Sequence, residues 1–128
     1  MPVDSSIDHT HRRVTQLVRD PVATAEVLAA ISQQVDAGAW TYASLVDCSQ
    51  STWIPSTAEM RAIVARVEQF SARHGRRGPL AMVSAGNAAR FGMFRMYSAL
   101  TDAYASVSVF DSVAEAEAWL AQAGDARA

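Results

Sequence analysis

The stretch TYASLVDCSQSTWIPSTAEMRAIVARVEQFSARHGRRGPLAMVS, residues 41–84, reads as strand, loop, helix, strand, and that order decides the fold. Thr41 to Asp47 is a short β-leaning run. Cys48 to Pro55 is a loop, which places Cys48 just past the C-terminal end of the strand. Ser56-Thr57-Ala58-Glu59 is a capping box: the Ser56 hydroxyl can accept the Glu59 amide proton while the Glu59 carboxylate reaches back to the Ser56 amide. Met60, Ile63, Val64, Val67 and Phe70 then share one helical face, and the helix stops at His74-Gly75. After Gly78-Pro79, Leu80 to Ser84 is a second apolar strand. A helix standing between two single strands is a crossover connection, so these strands run parallel.

Working outward, residues 3–7 and 12–19 are β-leaning, and the polar Asp8-His9-Thr10-His11 between them reads as a hairpin turn. Val14, Gln16 and Val18 alternate against Thr15 and Leu17. Asp20-Pro21 is expected to open a helix whose stripe is Val27, Leu28, Ile31 and Val35, closed by Gly38. On the other side, Gly86-Asn87 begins a helix to about Leu100, and Ala105 to Phe110 is a strand. Ser112-Val113-Ala114-Glu115 is a second capping box, opening a last helix with Ala116, Trp119 and Leu120. The order β-β-α-β-α-β-α-β-α predicts an α/β fold. Its small, mixed, largely parallel sheet has an N-terminal β-hairpin, four helices and right-handed crossovers. Residues 1–128 read as one domain, with 122–128 as a trailing tail.

The composition narrows the function classes. A net charge of -2 argues against general affinity for nucleic acid. No run of about 18 apolar residues is present, so no membrane insertion is expected. The single cysteine excludes an internal disulfide framework and fits a reducing, cytoplasmic setting. The opening MPVDSSIDHTHRR has no apolar stretch and does not read as a secretory signal. All 11 permanently cationic side chains are arginine, so neither a lysine Schiff base nor a P-loop lysine is available.

The segments Leu45-Val46-Asp47, Phe91-Gly92-Met93-Phe94-Arg95-Met96-Tyr97 and Val109-Phe110-Asp111-Ser112-Val113-Ala114-Glu115-Ala116-Glu117-Ala118-Trp119-Leu120, in this architecture, resemble the SpoIIAA-like group of STAS-type domains. The resemblance runs from the first hairpin to the last helix. It implies a non-enzymatic regulatory module acting through protein contacts, without a cofactor. The better-studied relatives bind a kinase and are switched by phosphorylation of a serine at a helix start. Ser56 and Thr57 match that position, within Ile54-Pro55-Ser56-Thr57-Ala58-Glu59 rather than an Asp-Ser-Ser-Gly type stretch.

The residues themselves offer several sites, each with a plainer reading. A phosphate on Ser56 would face the positive end of the helix dipole, although a serine there is equally an N-cap. Cys48, Ser84 and Asn87 stand near strand C-terminal ends, where open α/β sheets place small-molecule pockets; a lipid or other small ligand is the alternative function. Cys48 would need a lowered pKa to serve as a nucleophile. His9 and His11 would share a strand face, with Asp8 as a local third ligand, but a turn leaves them solvated, and no metal site is expected. Arg73, His74, Arg76 and Arg77 form either an anion-binding patch or a solvated helix end. On the third helix, Ala89, Met93, Met96, Tyr97 and Leu100 make the sheet-facing stripe at about 100° per residue. That puts Phe91, Phe94 and Arg95 on the far side, where they predict a partner contact, most simply a homodimer.

Overall fold

The computed structural model describes residues 3–127, and within them the expected element order holds. Strands β1 (Val3–Asp8) and β2 (Arg13–Arg19) form an antiparallel hairpin. There follow α1 (Thr24–Asp36), β3 (Ala43–Gln50), α2 (Thr57–His74), β4 (Leu80–Val83), α3 (Ala88–Leu100), β5 (Val107–Phe110) and α4 (Val113–Arg127). The five strands lie side by side in chain order, and β2 through β5 are parallel. The α/β class and the mixed, largely parallel sheet are therefore as the sequence predicts. Helix α4 continues through the stretch expected as a tail as far as Arg127; Ala128 lies outside the described residues.

Alternation along the strands sorts side chains onto two faces. One face carries Val18, Cys48, Leu80 and Met82, packed against Ile31 of α1, Met60, Ile63 and Val67 of α2, and Phe94 and Tyr97 of α3. The other carries Ala43, Leu45, Ala81 and Val83 beneath Ala116 and Leu120 of α4. Three helices thus cover one side and one helix the other. With strands stepping steadily in one direction and α1 to α3 on a common face, all three crossovers share one hand. The registered pairs Gln16–Val46, Val46–Met82 and Met82–Val109 form a row across the sheet on the three-helix side.

Three local expectations are corrected. Pro21 does not open α1: the helix begins at Thr24 with Ala23 as N-cap, and the cis Asp20-Pro21 bond lies in the preceding loop. Strand β3 runs on to Gln50, so Cys48 is inside it rather than past its end. The buried stripe of α3 is Arg90, Phe94 and Tyr97, whereas Ala89 and Leu100 are exposed. Phe94 is fully buried, so it cannot supply a partner contact. Arg90 sits in line with Phe94 and Tyr97 at i, i+4, i+7 spacing, and a charged residue inside the stripe rotates the apparent apolar face. Among the described residues, no helix is long and apolar enough to cross a membrane.

Candidate ligand site

The approach to β4 is stapled to the end of α1. The Trp40 indole N–H donates to the Gly75 carbonyl at 2.8 Å, the Gly78 amide to the Trp40 carbonyl at 3.0 Å, and the Arg77 amide to the Tyr104 carbonyl at 2.9 Å. Gly78 passes so close to the chain at Thr41 and Tyr42 that a Cβ there would stand 2.3 Å from both carbonyl oxygens. This tight passage carries the Arg77 side chain inward. Arg77 is only 4% exposed, unlike Arg73, His74 and Arg76, which stay at the surface. The expected basic patch is therefore split, with one member in the core.

Inside, the guanidinium is only partly matched. Its Nη2 donates to the Gln34 Oε1 at 2.7 Å, and its Cζ lies 5.2 Å from the centre of the Trp40 ring. Gln34 is itself held by donating to the Ala39 carbonyl and the Ser44 hydroxyl. The Tyr97 hydroxyl interacts with the same guanidinium. Burial pushes the Tyr97 pKa up and that of Arg77 down, and each group partly offsets the shift of the other. The Arg77 Nε has no acceptor. Among the described residues, no carboxylate lies within ion-pair distance of Arg77.

Arg77 borders a cavity of about 40 Å³ between the sheet and helices α1 to α3. Its walls are mainly apolar, including Val18, Ile31, Val46, Met60 and Met82, and its polar members are Gln16, Arg77 and Tyr97. Gln16 is 5% exposed, and its Nε2 also lacks a partner. Val46 belongs to the middle strand and faces the helix layer, where burial is the rule, yet it is half-accessible. Half-buried Val3, Val27 and Trp53 complete the lining towards solvent.

The residues singled out from the sequence are placed elsewhere. Cys48 is fully buried, and desolvation pushes its thiol pKa up to about 12, so it is not a thiolate near neutrality. The Ser84 hydroxyl donates to Phe110 O and Asp111 Oδ1, while Asn87 Oδ1 caps α3 by accepting from the Arg90 amide. Between Ser84 and the loop after β3 lies the Arg90 guanidinium. It donates to Ser84 O at 2.7 and 3.1 Å, to Ser51 O at 2.7 Å and to Trp53 O at 3.3 Å. Cys48 and Ser84 are thus enclosed by protein, and the hollow that remains at this end of the sheet is lined by Gly86, Ala88, Phe91 and Asp111. A sheet in unbroken chain order has no switch point at which a crevice would open there.

Ser56 and Thr57 are exposed at the start of α2, and the capping box is present as read. Glu59 closes that box; its carboxyl is held below the ordinary range chiefly by the Thr24 hydroxyl and then by the Ser56 amide. A phosphate on Ser56 would stand beside this carboxylate, and repulsion would oppose the favourable helix dipole. His9 pairs with the Tyr42 hydroxyl and His11 with Asp8, each at 2.7 Å, so the two imidazoles engage different partners. Phe91 is half-buried under the exposed Arg95, whose Cζ is 5.9 Å from the ring centre.

Sequence reasoning placed Gln16 on the alternating face of β2 but gave no sign that Arg77 enters the core. The one available cue was its position directly before Gly78-Pro79 and a wholly apolar strand. No family model, curated protein or solved structure matches this chain.

Proposed function

We propose that this chain is a binding module that seats one end of a small, largely apolar molecule in the cavity between its sheet and helices α1 to α3. The observation that carries this reading is the conjunction at that cavity: apolar walls, an accessible middle-strand Val46, and two nine-tenths-buried side chains with unmet N–H groups. Apolar concavities with a few converging polar groups are the usual form of small-molecule sites. The location differs from the strand-end pocket expected from sequence, but the ligand class is the same.

Titration of the labelled protein with 1-hexanol, followed by amide chemical shifts, tests the reading. Shifts concentrated at Val46, Met82 and Ile31, and abolished by Val46→Phe, are expected. Shifts scattered over the surface, or unchanged in the filled variant, would refute it.

A second reading, a phosphorylation-switched regulator of the SpoIIAA-like kind, is favoured by the exposure of both Ser56 and Thr57 at the head of an 18-residue helix. Phosphate found by mass spectrometry on either residue after incubation with native extract and ATP would support it; phosphate confined to other residues would remove it.

A further inference from the structure

We infer that the molecule taken by the cavity carries a carboxylate, seated against Arg77 and Gln16. The inference rests on the cavity reading above and adds the chemistry of the ligand's head.

Two residues that border this cavity carry an unmet side-chain atom, and in each that atom is a donor. Arg77 Nε and Gln16 Nε2 both carry hydrogens with no acceptor, on side chains that are 4% and 5% exposed. The missing partner is therefore an acceptor. Leaving a buried donor unpaired costs about 1–3 kcal/mol, and more for a charged group. One of the two donors belongs to a guanidinium, which stays protonated in proteins and meets no carboxylate among the described residues. A neutral carbonyl would satisfy the geometry; an anion satisfies the geometry and the charge.

Size and donor number narrow the anion. At roughly 10–15 Å³ for each water, a cavity of about 40 Å³ holds about three heavy atoms, the size of a carboxylate group. Arg77, Gln16 and Tyr97 all line the space, and a planar, two-oxygen acceptor suits a guanidinium beside further donors. A doubly charged phosphate would bring more charge than one guanidinium neutralises into walls that are otherwise apolar. The partly exposed members of the lining, Val3, Val27, Val46 and Trp53, are all apolar, so an apolar chain fits the rest of the ligand.

Paired titrations with hexanoate and 1-hexanol test the inference, with calorimetry and amide shifts as readouts. Hexanoate should bind about tenfold more tightly than hexanol, the ratio expected of one charge-assisted hydrogen bond. Arg77→Met should erase that preference, and Gln16→Leu should reduce it. Equal binding of the two probes to the wild type means that water satisfies the donors; it overturns the carboxylate inference and leaves the cavity reading standing. Binding of neither probe overturns both. A preference that survives in folded Arg77→Met also overturns it. The wild-type comparison decides the matter even if a variant fails to fold.

Discussion

Among the described residues two arginines are buried, at opposite ends of the parallel strands, and they are matched very differently. Arg90 is 3% exposed and spends its guanidinium on backbone carbonyls of Ser84, Ser51 and Trp53, tying the end of β4 to the loop that leaves β3. Arg77 is 4% exposed and has Gln34 as an acceptor, the Tyr97 hydroxyl and a tryptophan face beside it, and an Nε without a partner. Equal burial thus hides unequal roles. The first arginine is consumed by the fold, and the second retains capacity for something else. What separates them is an account of each donor, because a buried polar atom that the chain leaves unmatched implies a partner from outside.

The comparison breaks most sharply at Arg90. Arg90→Met removes the guanidinium that three backbone carbonyls, of Ser84, Ser51 and Trp53, accept from, and a loss of about 3–5 kcal/mol in urea unfolding is expected. A loss under 1 kcal/mol would mean that the clamp is dispensable. Gly78→Ala comes next: the new methyl collides with backbone oxygens that have no rotamer to escape into, for an expected cost of about 3 kcal/mol. The same variant should displace Arg77 and weaken hexanoate binding. Arg77→Met is the opposite case. Replacing an incompletely matched buried charge by an apolar chain of similar length relieves its desolvation, while the buried Gln34 Oε1 loses its donor; the two effects oppose, and stability should change by no more than about 1 kcal/mol. Gln34 Nε2 keeps its two hydrogen bonds in that variant.

The smallest effects lie in the loop that Arg90 anchors. Ser56→Ala removes the α2 cap and should cost about 1 kcal/mol. Glu59 has a folded pKa below its ordinary 4.5 because the carboxylate accepts hydrogen bonds, first from Thr24. Its contribution to stability is therefore complete above about pH 4.5 and is lost as the pH falls through the lowered folded value. Glu59→Gln should flatten the acid limb of a stability–pH profile; an unchanged limb would assign that slope to other carboxylates.

Much of the architecture was legible because it rests on short-range chemistry. The capping box at Ser56 forms as read; at Ser112 the hydroxyl accepts the Glu115 amide, while the Glu115 carboxylate takes the hydroxyl proton rather than the Ser112 amide; and the alternation of Val14, Gln16 and Val18 marks the buried face of β2. The third helix misled for a physical reason. Periodicity treats arginine as a surface residue, and Arg90 in the buried stripe pulled the inferred face towards Ala89 and Leu100 and left Phe94 outside. The candidate site was barely legible at all. Arg77 reaches the interior through contacts with Trp40, Gln34 and Tyr104, which are remote in sequence and share no spacing with it. Gln16, which lines the same cavity, could be assigned a face, but nothing in a strand pattern reveals whether an amide nitrogen finds an acceptor.

Strands laid down in chain order have a consequence for how the protein is made. Each new strand needs only an edge that has already left the ribosome, so no gap waits for a later segment to be threaded in. The hairpin can seed the sheet, and each helix–strand unit can dock on the rim left by its predecessor, keeping the loops to be closed short. Assembly can therefore keep pace with translation, from the first turn to the last helix.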